Sequence, residues 1–423
     1  MFSKNTTWAI GGGILFAILL SLLGWFLFIR GQNNDLTRAS AGRGFGTNIP
    51  IFDNANGGST NQNIRDALLS GFGIFSRDSN EPDAEIENAL PRLWNPSSVP
   101  VAGITLIGTS TDAKIQFVER PSGNIFEAYL KDGDVTRISN TLVPNVYRAF
   151  WGKDTRLVLQ HLDENGEIAT LIGSIEKMST STEESVGEFS GSYLEPDIVS
   201  VATSRERNDI FYIVKTIHGS VGIQINPENA TQKRIFTSHV FGWRSVVVNG
   251  GTILLFQNPS QGIEGNAFLL KNNGDKTILK NNVRGLIASI SRNEAHTLYN
   301  EIVQGRISLF SKIEDAPERQ LSLTTLAEKC VFNPKNTFVV YCAVPRAIPE
   351  AQIPDAWYRG EIHFSDDWWI IDTENGTVEQ LLSPESDYGI TLDVVDPYIN
   401  EEGTHIVFID AKTRTPWVLR VVQ

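Results

Sequence analysis

The amino-acid sequence predicts an all-β domain, a β-propeller of about seven four-stranded blades, preceded by one transmembrane α-helix and a flexible linker. Short runs of β-branched and aromatic residues, separated by turn residues, fill the chain from about Leu90 onward, and long helical periodicity is absent. A unit of hairpin then strand recurs at intervals of ~40–60 residues, the period of propeller blades with loop insertions. Near the N-terminus stands one uncharged apolar run long enough to cross a bilayer.

Residues 1–7 form a short tail. From Trp8 to Ile29 the sequence WAIGGGILFAILLSLLGWFLFI carries no charge and is bounded by Lys4 and Arg30. At ~1.5 Å per residue it crosses ~30 Å of hydrocarbon, with Trp8 and Trp25 placed where indole rings favour the interface. A signal-peptide apolar region is usually ~7–15 residues, closely followed by a small-x-small cleavage site. The nearest such site here, Ala39-Ser40-Ala41, lies well beyond the run, and no cysteine follows the run to carry a lipid. Residues 8–29 are therefore expected to hold the chain in the membrane as a single-pass anchor.

Residues 30–89 are rich in Gly, Asn, Ser and Asp and cannot bury enough apolar surface to fold alone, which makes them a tether. Within them Ile64, Leu68, Phe72 and Phe75 recur at helical spacing. That pattern fits a transient amphipathic turn or a helix that docks on a partner.

The blades occupy residues 90–423. Each begins with an apolar residue, passes through a polar turn and enters an apolar strand, as in Trp151-GKDT-RLVLQ, Thr203-SRERN-DIFYIV, Phe332-NPKN-TFVVYC and Ile399-NEEG-THIVFID. The turns hold Asn, Asp, Ser, Gly and Pro, the types that tight hairpins require. A further strand follows each hairpin, for example NIFEAYL, SVGIQIN or RISLFS. Propellers commonly close by mixing an N-terminal strand into the last blade. Val99 to Gly108 is the expected closing strand, and the strand ending PWVLRVVQ should be buried.

The unit resembles the blade of TolB-type and WD40-like β-propellers, with Phe332-Asn333-Pro334-Lys335-Asn336 and Ile399-Asn400-Glu401-Glu402-Gly403 matching best. KCVFNPKNTFVVYCAVP followed by WWIIDTENGTVEQL is also similar to uncharacterised bacterial propeller proteins held at the membrane by a single span. The resemblance covers the chain from about residue 90 and concerns fold, since blades of one kind serve many functions. Asn249-Gly250-Gly251 departs from the usual turn.

Two lines of evidence on orientation conflict. Arg30, Arg38 and Arg43 outnumber Lys4, which by the positive-inside rule puts the propeller in the cytoplasm. The short tail, the resemblance and the only two cysteines, Cys330 and Cys342, favour the other side. An even count is compatible with a disulfide in an exported domain, and buried free thiols are the alternative. The expectation is a cell-membrane protein with an extracytoplasmic propeller.

Composition excludes several functions. Across 423 residues, 41% hydrophobic and 20% charged, the formal net charge is -13, and no basic stripe offers a nucleic-acid surface. The six histidines are scattered, and the chain has no His-Glu-x-x-His, no Gly-x-Ser-x-Gly, no phosphate-binding Gly-rich loop and no CxxC. No catalytic, cofactor or metal residues are therefore assigned. Asp366 with Asp367, and Asp393 with Asp396, lack calcium-loop spacing and read as turn-capping or solvated carboxylates.

A long insertion in the sixth unit, AVPRAIPEAQIPDAWYRGEIHFSDDWW, supplies Trp357, Tyr358, His363, Phe364 and Trp368. They are a candidate binding face for a protein, peptide or glycan, or else rings packed over a neighbouring blade. The functional expectation is a membrane-anchored interaction module at the cell envelope. The alternatives are a hydrolase or lyase centred on the channel and a purely structural envelope protein.

Overall fold

The computed structural model describes residues 90–109, 112–176 and 186–421. The expected span at 8–29 and linker at 30–89, with its amphipathic turn, lie outside the described residues. All described residues belong to one compact unit. Among them, no helix is long and apolar enough to cross a membrane.

Seven four-stranded sheets form the seven blades. A two-residue strand, β1 (Leu93–Trp94), precedes them. Blade 1 holds β2 (Val101–Ile107), β3 (Lys114–Glu119), β4 (Ile125–Tyr129) and β5 (Val135–Arg137). Blade 2 holds β6 (Val146–Trp151), β7 (Arg156–Leu162), β8 (Ile168–Glu176) and β9 (Glu188–Tyr193). Blade 3 holds β10 (Ile198–Ala202), β11 (Ile210–Thr216), β12 (Gly219–Asn226) and β13 (Thr231–Ser238). Blade 4 holds β14 (Trp243–Asn249), β15 (Thr252–Gln257), β16 (Glu264–Lys271) and β17 (Lys276–Arg284). Blade 5 holds β18 (Ala288–Ile290), β19 (His296–Val303), β20 (Arg306–Ile313) and β21 (Arg319–Gln320). Blade 6 holds β22 (Cys330–Phe332), β23 (Val339–Pro345), β24 (Asp366–Asp372) and β25 (Thr377–Leu382). Blade 7 holds β26 (Val394–Ile399), β27 (His405–Asp410) and β28 (Pro416–Arg420), and β1 completes it.

Burial explains the strand chemistry. The second strand of a blade is covered by the neighbouring blades on both faces, so RLVLQ of β7, TILLF of β15 and HIVFID of β27 are nearly continuous apolar runs. Outer strands face water and are mostly polar, as in TQKR of β13 and TVEQ of β25, both exposed. Inner strands approach closely. A Cβ on Gly103 of β2 would lie 2.3 Å from the Ala149 carbonyl oxygen of β6, so that position admits only glycine.

The ring closes by mixing, but through other residues than expected. Leu93 and Trp94 pair with Leu419 and Val418 of β28, whereas Val101–Ile107 is the inner strand of blade 1, paired to β3. An inner strand is buried on both faces just as a closing strand is, so its apolar run fits either place. β28 itself is buried as expected, with Val418 and Leu419 both at 0% exposure. Cys330 and Cys342 stand opposite one another on β22 and β23, and their sulfurs are bonded.

The antiparallel meander gives the ring two unlike faces. One, the entry face, carries the connections that enter each inner strand together with the loops between second and third strands. The opposite face carries the hairpins between first and second strands.

Candidate binding face

On the opposite face two arginines hold blades together. Arg205, in the first hairpin of blade 3, donates to Thr105 Oγ1 at 2.9 Å and to the Leu106 carbonyl at 3.3 Å, both in blade 1. Arg292 of blade 5 pairs with Glu206 of blade 3 and, at 3.6 Å, with Glu401 of blade 7.

The entry face carries the insertion of blade 6, residues 346–365, and its rings do not form one exposed contact face. Trp357 and Phe364 are buried, and Trp368, at 0% exposure, packs on Phe408 at 5.4 Å between ring centroids. Tyr358 is half-buried, and only His363 is exposed. The cause is a buried cation. Lys329 Nζ, fully enclosed, donates to Asp366 Oδ2 at 2.5 Å and to Asp393 Oδ1 at 2.6 Å, beneath the rings of Phe364 at 4.7 Å and Trp357 at 5.1 Å. Asp393 also fastens the insertion. It accepts from Trp357 Nε1 at 2.9 Å and the Phe364 amide at 3.1 Å, with His363 Nδ1 3.3 Å away.

The acidic pairs are therefore not solvated turn residues. Asp366 and Asp393 are buried ligands of Lys329. Asp367 is buried too and accepts from Ser383 Oγ at 2.7 Å. Of the four, Asp396 alone is exposed. Burial pushes the Asp366 carboxyl up to about 6, against the pull of Lys329, and its Oδ1 has no hydrogen-bond partner. Sequence reasoning missed Lys329, because a single lysine between Glu328 and Cys330 carries no pattern.

Glu328 joins the blade 6 insertion to blade 4. It accepts from the Tyr358 hydroxyl and, at 3.4 Å, from Arg244 Nη1 of β14, whose guanidinium stacks 4.0 Å over the Tyr358 ring. Burial raises the Glu328 carboxyl above its ordinary value, with Arg244 opposing. Burial and the Glu328 charge raise Tyr358, which keeps its proton.

Three more arginines converge at the ends of blades 7, 1 and 2. The Val101 amide donates to the Arg414 carbonyl at 2.8 Å, the Arg120 amide to the Pro100 carbonyl at 2.8 Å, and the Val146 amide to the Arg120 carbonyl at 3.0 Å. Arg148 follows Val146 by two residues on inner strand β6. Among the described residues, none of the three lies within 4.0 Å of a carboxylate. Apolar side chains continue the entry face beyond this region. Leu142, Leu162, Tyr193, Ile217, Phe241 and Ile263 are exposed, and all lie at the entry-face ends of blades 2 to 4. Among the described residues, the first hairpins of the opposite face expose no large apolar side chain, and at its strand ends Val135, Val378 and Tyr398 are exposed at 43, 40 and 40%.

No family model and no curated protein sequence matches this chain. The oligogalacturonate lyase of Vibrio parahaemolyticus superposes with a TM-score of 0.50 at 8% identity, over 78% of this chain and 94% of that one. The WD40 domain of Pan2 from Neurospora crassa gives 0.47 at 10%, over 78% and 94%. TolB from Acinetobacter baumannii gives 0.40 at 10%, over 76% and 80%. Likeness at such identity concerns fold alone, and the fold is a seven-bladed β-propeller whose solved neighbours include TolB and WD40 propellers.

Proposed function

We propose that the chain is a binding module at the cell envelope. Residues 8–29 anchor it in the membrane, residues 30–89 give it reach, and the extracytoplasmic propeller offers its entry face to a protein, peptide or glycan. The observation that carries the reading is the asymmetry of the faces. The most exposed large apolar side chains, Ile217, Ile263, Leu142 and Tyr193, gather on the entry face, whereas among the described residues the first hairpins of the opposite face expose none. Exposed apolar side chains concentrated on one face mark sites of association.

Photocrosslinkers placed in intact cells at Phe241, on the entry face, and at Lys335, on the opposite face, test it. Adducts from Phe241 alone are expected, and adducts from Lys335 alone would overturn the reading. Protease treatment of intact cells carrying a tag at Gln423 tests the orientation. Loss of the tag is expected, and protection until the membrane is opened would place the propeller in the cytoplasm.

One observation favours a second reading, a channel-centred hydrolase or lyase. Glu328, its carboxyl raised by burial, meets Tyr358 of the blade 6 insertion and Arg244 of blade 4, an arrangement suited to general acid chemistry. Under that reading Glu328→Gln abolishes turnover and leaves partner binding intact.

A further inference from the structure

We infer that Arg120, Arg148 and Arg414 hold the carboxylates of a short acidic peptide segment, flanked by apolar residues, that a partner inserts at the entry face. The inference rests on the entry face being the binding face and names the chemistry it recognises. The three arginines are fixed as neighbours by the chain of backbone bonds through Pro100, Val101 and Val146. Their side chains are largely uncommitted. Arg120 Nη2 donates to the Tyr147 carbonyl at 3.1 Å, Arg148 lies 5.1 Å from the centre of the Phe150 ring, and Arg414 Nε is buried with no partner. In a chain of net charge -13, a positive cluster without ion-pair partners runs against the overall field. Burial lowers the pKa of both Arg120 and Arg414; the Arg414 charge lowers Arg120 further, and at Arg414 the charge of Asp396 opposes the lowering that Arg148 adds. An anion bound among them offsets the repulsion between the arginines.

The kind of anion follows from the arrangement. Three guanidinium forks carried by three blades suit separate carboxylates spaced along a chain better than one compact phosphate. The neighbouring surface is apolar. The Val143 amide bonds to Ser122 in the Arg120 loop, and Leu162 bonds to Asn145 beside Val146, which places exposed Leu142 and Leu162 next to the arginines. A ligand covering both regions has carboxylates and apolar side chains together, as a peptide does. The overall acidity of the propeller repels an extensive anionic surface, a lipid bilayer included, and leaves a short inserted segment as the occupant.

The test uses the full chain in detergent and a fluorescein-labelled peptide in which glutamates alternate with leucine and phenylalanine, read by anisotropy. Its companion has every glutamate replaced by glutamine. The expected result is binding of the glutamate peptide that weakens about tenfold with Arg148→Gln or Arg414→Gln, weakens with added salt, and is unchanged by Lys335→Gln on the opposite face. Thermal melts confirm that the variants fold.

Equal binding of both peptides, lost on Phe241→Ser, would overturn the carboxylate assignment while leaving the binding face intact. Displacement by inorganic phosphate at concentrations where acetate has no effect would also overturn it, in favour of a phosphate ligand. Failure of both peptides to bind at millimolar concentration would overturn the inference outright.

Discussion

Replacing Lys329 by Met removes the cation from between Asp366 and Asp393 and leaves two enclosed carboxylates facing each other. Breaking a buried pair from one side costs about 3–5 kcal/mol, because a charge stays behind without water or partner. For a domain of this size that corresponds to a fall in Tm on the order of 5–15 °C at pH 7.5. The pH dependence gives the sharper test. The Asp366 carboxyl stands at about 6 in the folded chain against an ordinary 3.8. The native state therefore binds the proton more tightly than the unfolded state, and stability falls as pH rises from about 4 to about 6, by about 3 kcal/mol at ~1.4 per pKa unit. Without Lys329 the carboxyl rises further. The penalty of Lys329→Met should then be largest at pH 7.5 and shrink at pH 5, and adding Asp366→Asn should recover part of it at pH 7.5. Urea unfolding at the two pH values measures this. A variant whose Tm lies within about 2 °C of the wild type at pH 7.5, or whose penalty does not change between pH 7.5 and pH 5, would refute the reasoning.

Deleting Trp417 to Gln423 removes most of β28 and the partner of β1, so no cooperatively folding product is expected, and a soluble truncation with a single sharp melt contradicts the closure described. Gly103→Ala forces a methyl against the Ala149 carbonyl and should cost about 2 kcal/mol or more, read by urea unfolding. Replacing Cys330 and Cys342 together by Ser opens a bridge spanning 12 residues and should cost about 3 kcal/mol by loop-closure entropy. Thiol labelling of the native chain with and without reductant checks that the wild-type bridge is formed.

The seven blades were legible because their hairpins have an atomic reason to be Asn-rich. The Asn333 side chain accepts from the amides of Lys335 and Asn336 at 2.9 and 3.2 Å, and Asn400 accepts from Thr404 and His405 at 2.8 and 2.9 Å. The buried second strands announced themselves as unbroken apolar runs. The closing strand did not, because β1 is two residues long and owes its place to a partner at the other end of the chain. The blade 6 insertion showed its aromatic content but not its direction, since Trp357 and Phe364 look alike in sequence whether they cover a cation or a partner. The cation itself lies 37 and 64 residues from its two carboxylates, beyond any local pattern. The arginines of the entry face come from three blades and are neighbours only once the ring is shut.

Ring closure also sets an order of events in the cell. Arg92 and Arg420, joined beside the closing pair, are 328 residues apart, so β1 leaves the ribosome long before the strand it needs. Contacts of such range form late in folding. A chain whose synthesis stops early leaves β1 without its mate and a blade edge open to proteases. The ring therefore acts as a check on completeness, and only a chain translated through β28 gains the protection of a closed circle.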